Sequence, residues 1–226
     1  KKVVKDECFA VAATCHTPAK YYYSCKCGAI SDSDTFDSDI YLPHTFVDQY
    51  CTECDAIDYY DVRVEGEEVV FYGFQKSTIT TTNIVVPDGV TVIAACNYCD
   101  GADSFTISAS VKELCDNFAS NASWKGNTKQ YSVAEGNANF KSVDGVLFTK
   151  DGKELVAYPK TSATTAYTLP STVEKIAAKA FMEAVNVVTV NVNEGLKEIG
   201  EYAFYKCTKL ENVNLPSTLE KIEQYA

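Results

Sequence analysis

A repeat with a period of 23 residues constrains the fold of this chain more than any other feature of its sequence. The segment Leu215-Pro216-Ser217-Thr218-Leu219-Glu220-Lys221-Ile222 resembles residues 192–199, which lie 23 positions earlier, and residues 169–176, which lie 23 positions earlier again. Two more divergent copies, 21 residues apart, occupy residues 107–114 and 86–93. Self-similarity at a fixed period indicates stacked repeats rather than one irregular core.

An alternation of apolar and mostly polar residues leads into each copy, and such alternation is typical of a β-strand. The recurring apolar residues two positions before each copy are Ile84, Phe105, Tyr167, Val190 and Val213. Each repeat is therefore predicted to contain one short strand, a turn and a short helical or irregular return. Because no repeat can bury its apolar side chains alone, we expect the repeats to stack into a solenoid over residues 81–226.

One distance between neighbouring copies of the repeat is much longer than the 23-residue period. The second and third copies, at Ile107 and Leu169, are 62 residues apart, about 39 more than one repeat. Within this gap, Asp144-Gly145 and Asp151-Gly152 separate short apolar runs, and such dipeptides favour type I′ hairpin turns. The sequence predicts a β-meander inserted at about residues 123–160 that projects from the edge of the solenoid.

A hairpin and a cysteine-rich module are predicted before the repeats. Aromatic and β-branched residues flank Gly66, which predicts a β-hairpin at residues 58–80 that caps the solenoid. Residues 1–57 form a separate module too small to bury much apolar surface, and such modules usually need disulfides or a metal. Its cysteines are Cys8, Cys15, Cys25, Cys27, Cys51 and Cys54.

These six cysteines leave three interpretations open. Disulfides are favoured because small cysteine-rich domains are typical of oxidising compartments. Zinc is the second interpretation, since Cys25-x-Cys27 and Cys51-x-x-Cys54 have knuckle-like spacing and His44 lies nearby as a further ligand. Free thiols are the third.

Composition and motifs exclude several functions. The net charge is −11 and Arg63 is the only arginine, which argues against binding to nucleic acid or to an anionic membrane. No apolar run approaches the roughly 20 residues that a membrane-spanning helix needs. The only histidines are His16 and His44, and hydrolase, phosphate-loop and metalloprotease motifs are missing. The chain is therefore predicted not to be an enzyme and to carry no cofactor, with zinc at the N-terminal cysteines as the alternative.

The repeat resembles a known family. Residues 199–216 look like the repeat of the BspA-like leucine-rich-repeat family, and residues 140–152 look like the hairpin inserted in that family. The run from Ala13 to Gly28 is similar to small cysteine modules beside such repeats in secreted bacterial proteins. The resemblance implies a mainly β solenoid with short helical segments (an α/β solenoid). It also implies a secreted or cell-surface protein that contacts protein or glycan on another cell or matrix.

A polar stripe on the sheet face is the candidate binding surface. If the recurring apolar residues point inward, their neighbours point outward, and these are mostly Thr, Ser and Asn, which can hydrogen-bond glycan hydroxyls or an extended peptide. The stripe residues are Thr106, Thr168, Thr189, Asn191, Asn212 and Asn214. Such residues also suit an exposed sheet face that binds nothing.

An alternative function is structural. The last repeat stops at Ala226, one residue short of its expected aromatic residue, and solenoids need a polar terminal cap to stay soluble. We therefore expect either a fragment of a longer protein or an open end that another subunit buries. In the second case the chain would assemble end to end into a surface filament.

Overall fold

The computed structural model describes residues 60–74, 83–97, 102–115, 118–120 and 128–226, and the backbone of five short strands in the first 51 residues. Two compact units divide the chain, Lys1–Tyr59 and Tyr60–Ala226.

The first unit contains two small antiparallel sheets. Three strands form one sheet and two form the other. They are β1 (Phe9–Val11), β2 (Lys20–Ser24), β3 (Ile30–Asp37), β4 (Phe46–Val47) and β5 (Tyr50–Cys51). Cys8, Cys15, Cys25, Cys27, Cys54 and His44 lie outside the described residues, and Cys51 lies in a strand whose side chains are not described. Disulfide or zinc at these positions stays a prediction.

The second unit is a solenoid with two ladders of strands, one at the front and one at the rear. The front ladder carries the five strands predicted from the alternation of apolar and polar residues and one further strand at residues 130–133. They are β8 (Asn83–Val85), β10 (Ser104–Ile107), β12 (Gln130–Val133), β16 (Ala166–Thr168), β18 (Thr189–Asn191) and β20 (Asn212–Asn214). The inward residues Ile84, Phe105 and Val190 are fully buried. The predicted inward direction of these side chains is therefore confirmed.

The rear ladder combines the predicted hairpin strands at residues 60–74 and 140–157 with strands in the returns, where the sequence indicated only short helical or irregular segments. Its strands are β6 (Tyr60–Glu65), β7 (Glu68–Phe74), β9 (Val92–Asn97), β11 (Glu113–Leu114), β13 (Phe140–Val143), β14 (Val146–Thr149), β15 (Glu154–Ala157), β17 (Lys175–Ile176), β19 (Glu198–Ile199) and β21 (Lys221–Ile222). They form two sheets. One contains β6, β7, β9 and β11, and the other contains β13, β14, β15, β17, β19 and β21. The β6–β7 pair is an antiparallel hairpin that turns at Gly66.

The mainly β solenoid is confirmed, but its predicted helical segments are wrong. Within the described part of the chain, the only helical segment is the 3-10 turn Phe118–Ser120. The returns pass through left-handed residues, with φ of 62° at Lys179, 60° at Glu183, 54° at Tyr202 and 58° at Lys206. A right-handed helix cannot continue through such residues, so the return breaks into turns.

The gap between the second and third sequence copies contains a sixth repeat. Strand β12 pairs in parallel with β10, so that Tyr131 lies beside Phe105 and Val133 lies beside Ile107. Sequence comparison missed this repeat because its distances to the repeats on either side differ from the 23-residue period.

The inserted hairpin lies inside the solenoid, so its predicted projection from the edge is wrong. Strands β13 and β14 pair antiparallel, β15 pairs with β14, and β15 also pairs in parallel with β17. Leu147 is buried in one hydrophobic core, whereas its strand neighbours Val146 and Phe148 are buried in a second core. The hairpin is therefore covered on both faces, because apolar side chains alternate to both sides of β14.

The two Asp-Gly turns of the inserted hairpin differ in backbone conformation. Asp144 and Gly145 have φ values of 51° and 78°, and positive φ at both central residues is typical of the predicted type I′ turn. At the second turn only Gly152 has a positive φ, 78°, and its N–H donates to the carbonyl of Thr149 at 2.9 Å. The predicted type I′ turn at Asp151-Gly152 is therefore wrong.

Aromatic rings stack along the second core. The rings of Tyr158 and Phe181 are 4.6 Å apart, and those of Phe181 and Phe204 are 5.0 Å apart, both in stacked orientation. The three rings come from successive repeats, so the stack holds neighbouring repeats together. The same ring contacts exclude water from the core.

Charged residues on the rear ladder alternate in sign from one repeat to the next. The pairs at equivalent positions are Lys153-Glu154, Glu174-Lys175, Lys197-Glu198 and Glu220-Lys221. Glu174 contacts Lys153 at 2.8 Å and Lys197 at 2.6 Å, and Lys175 contacts Glu154 at 3.1 Å. Identical repeats would place like charges side by side, so the alternation favours this stacking register.

Leu147→Ala should destabilise the solenoid by about 2–5 kcal/mol, because it opens a cavity in a closed interior. Leu147 is 0% exposed, whereas Val143 on the paired strand is 43% exposed. Val143→Ala should therefore change stability by no more than about 0.5 kcal/mol. Urea unfolding monitored by circular dichroism measures both. Equal effects would contradict the internal position of the hairpin.

The carboxyl of Glu174 should titrate far below the usual range. Hydrogen bonds from Lys153 and Lys197 lower its pKa to about 2. A pKa lowered in the folded state stabilises the fold above the pKa of the unfolded chain, and this stabilisation is lost as pH falls toward 2. NMR titration of the side-chain carboxyl measures the pKa directly. Replacing both lysines by Met should return it toward about 4.3, and an unchanged pKa in that variant would refute the assignment.

Candidate functional site

Five of the six predicted stripe residues lie together on the outer side of the front ladder. Thr168, Asn191 and Asn214 are aligned across three neighbouring strands, and Thr189 and Asn212 are aligned on the same side. Thr189 is half-buried and the other four are exposed. Parallel pairing without a register shift places equivalent side chains about 4.8 Å apart along the ladder.

The sixth residue, Thr106, lies in a different sheet. It is aligned with Val85 on one side and Ser132 on the other, in the sheet formed by β8, β10 and β12. The tip of the inserted hairpin lies against that sheet, because the N–H of Tyr131 donates to the carbonyl of Gly145 at 2.8 Å. The predicted continuous stripe is therefore divided into two patches. The larger patch, at residues 166–168, 189–191 and 212–214, forms the polar face.

The polar face holds few hydrogen bonds among its own side chains. The Nδ2 group of Asn191 donates to Oγ1 of Thr168 at 3.2 Å. In the described part of the chain, the side chains of Asn212 and Asn214 have no hydrogen-bond partner. Amide groups that point into solvent keep two donors and an acceptor each for a ligand. The surface can therefore hydrogen-bond a ligand repeatedly while carrying no charge.

Two asparagines that the sequence reasoning missed hold the turns after front strands. The Nδ2 group of Asn193 donates to the carbonyls of Pro170 at 2.9 Å and Val173 at 3.0 Å. Asn137 makes the equivalent pair of bonds to Ser108 at 2.9 Å and Val111 at 3.0 Å. These bonds connect neighbouring repeats and fix the direction in which the chain continues after each front strand. The two asparagines stand at different places in their repeats, so the 23-residue period did not reveal them.

Cys207 is part of the second core. It packs against that core and its thiol donates to the carbonyl of Phe181 at 2.9 Å. Burial raises the pKa of the thiol to about 11, so it stays protonated at neutral pH. This fits a small buried apolar side chain rather than a metal ligand or nucleophile.

Among the described residues, no group of three or more His, Cys, Asp or Glu side chains is arranged to hold a metal ion. In the same residues no helix has the length and hydropathy to cross a membrane.

Comparison with known proteins places the repeats in context. Residues 156–226 match the family model described as "BspA type Leucine rich repeat region (6 copies)". The solved structure of the pneumococcal vaccine antigen PcpA is 28% identical, with a TM-score of 0.54, and the match covers 61% of this chain and 40% of that one. No curated protein matches the chain.

Two further solved structures are more distant. A leucine-rich repeat protein from Eubacterium ventriosum is 22% identical with a TM-score of 0.45, over 57% of this chain and 41% of that one. Another from Bacteroides ovatus is 17% identical with a TM-score of 0.47, over 75% of this chain and 49% of that one. The chain thus spans less than half the length of each of these proteins.

Proposed function

We propose that this chain, whose residues 156–226 match the model of the BspA-type leucine-rich repeats, is a secreted or cell-surface interaction protein that acts as an adhesin. Its polar face binds protein or glycan on another cell or on matrix. The chain performs no catalysis in this role, because the polar face consists of hydroxyl and amide side chains that do not titrate near neutral pH.

The observation that carries the proposal is the alignment of ligand-accessible groups. Thr168, Asn191 and Asn214 present a hydroxyl and two amides in one row. An extended polymer with its own periodic hydrogen-bonding groups can contact such a row at several points, so weak single contacts add up along the ligand. Similarity to a solved protein that is named a vaccine antigen supports a location at the cell surface.

Replacing Thr168, Thr189 and Asn191 by lysine should abolish ligand binding. Three long cationic side chains would cover the row and remove three of its hydrogen-bonding groups. Binding is measured first on arrays of glycans and matrix proteins, and then by titration with the strongest hit.

The control carries the same added charge away from the polar face. Ser171, Thr208 and Ser217 are exposed and lie outside the front strands, so their lysine variants should bind as the unmodified chain does. Full binding by the first triple variant would refute the proposal. Equal loss in both variants would refute it too, because the cause would then be charge alone.

A further inference from the structure

Three tyrosines form an exposed aromatic cluster on the returns of the last two repeats. The rings of Tyr202 and Tyr225 are stacked with centroids 4.9 Å apart, and Tyr205 meets Tyr202 edge-on at 5.3 Å. Tyr225 is 68% exposed and Tyr205 is 39% exposed. Exposed rings that are already packed together are typical of binding surfaces, because a ligand can cover them without first ordering them.

The backbone holds the stacked rings in place. Lys179, Tyr202 and Tyr225 occupy the same position in successive repeats, and all three are left-handed, with φ of 62°, 54° and 57°. The N–H of Tyr202 donates to the carbonyl of Gln224 at 3.1 Å, and the N–H of Lys179 donates to that of Glu201 at 2.8 Å. The spacing of the rings therefore follows from the spacing of the repeats.

A polar cleft lies beside the same backbone segments. Its volume is about 390 Å³. It is lined by Lys175, Ala178, Glu198, Gly200, Glu201, Glu223 and Gln224. Glu201 and Gln224 directly precede Tyr202 and Tyr225 in the chain. The lining offers carboxylate acceptors and an amide that both donates and accepts. The ammonium group of Lys175 contacts Glu154, and the carboxylate of Glu223 contacts Lys221.

We propose that the cleft and the tyrosine cluster form one binding site for a neutral oligosaccharide. The C–H face of a pyranose ring packs on an aromatic face, while its hydroxyls donate to carboxylates and exchange hydrogen bonds with an amide. When the salt-bridge partners at the site are included, glutamates still outnumber lysines, and this negative balance disfavours sialylated or sulfated sugars because like charges repel. The glutamates are Glu154, Glu183, Glu198, Glu201 and Glu223, and the lysines are Lys175, Lys206 and Lys221. This site shares no residue with the polar face.

The size of the cleft favours a saccharide over a protein partner. Small-ligand sites usually enclose about 300–1,000 Å³, which includes this cleft. A stable protein interface buries about 800 Å² on each partner, far more than three tyrosines supply.

Saturation-transfer NMR on the unmodified 226-residue chain is the first test. The probes are cellotriose and chitotriose as neutral sugars and sialyllactose as the anionic comparison. Irradiation of the aromatic protons should transfer saturation to ring C–H protons of a neutral probe, and not to sialyllactose. Absence of transfer to both neutral probes overturns the proposal, and stronger transfer to sialyllactose overturns the charge argument on which it rests.

Two variants then connect the binding to these residues. Tyr202→Lys removes the stacked ring without straining the backbone, since Lys179 adopts the same conformation in the preceding repeat. Glu201→Ala removes a cleft acceptor. Each should weaken binding of the neutral probe by about tenfold in isothermal titration, as expected for one lost stacking contact or charge-assisted hydrogen bond.

Val64→Glu, on the exposed hairpin strand β6, is the control, and it should bind the neutral probe unchanged. Loss of binding in the lysine triple variant of Thr168, Thr189 and Asn191, together with full binding by Tyr202→Lys and Glu201→Ala, would assign the sugar to the polar face and overturn this proposal. Unchanged binding in both Tyr202→Lys and Glu201→Ala would also overturn it.

Discussion

Main-chain hydrogen bonding between successive repeats is the interaction on which the whole solenoid depends. Each front strand contains three or four residues and pairs with strands of neighbouring repeats. A strand this short cannot bury its own apolar residue, and Val190 is buried because Tyr167 and Val213 flank it in register. Stability is therefore a sum of nearest-neighbour contacts, and the regular spacing of the polar face follows from the same hydrogen bonds.

The inserted hairpin changes the solenoid from one continuous core into two. Strand β14 buries Leu147 on one side and Phe148 on the other, so it acts as a wall between the cores. The same hairpin brings Gly145 against Tyr131 and so accompanies the division of the front ladder. An insertion that looks like an appendage in the sequence thus lies where the front ladder divides into two sheets.

The surfaces of the repeats differ in chemistry because they are under different constraints. The rear ladder alternates Lys and Glu between repeats, which favours one stacking register. The polar face is uncharged, so it is free to hydrogen-bond a neutral polymer. The tyrosine cluster needs left-handed residues such as Tyr202, which the turns of the return supply. A single 23-residue repeat can therefore present several independent surfaces.

The sequence by itself determined the solenoid, its front strands and the inward direction of Ile84 and Val190, because period and alternation are local properties of the chain. It could not show the sixth repeat at Tyr131, whose spacing is irregular, or the two-residue rear strands β11, β17, β19 and β21, which have no pattern of their own. It placed Thr106 with the other stripe residues, and only the tertiary structure separated them. The physical reason is that the path of the hairpin depends on burial from both sides, which involves residues distant in sequence.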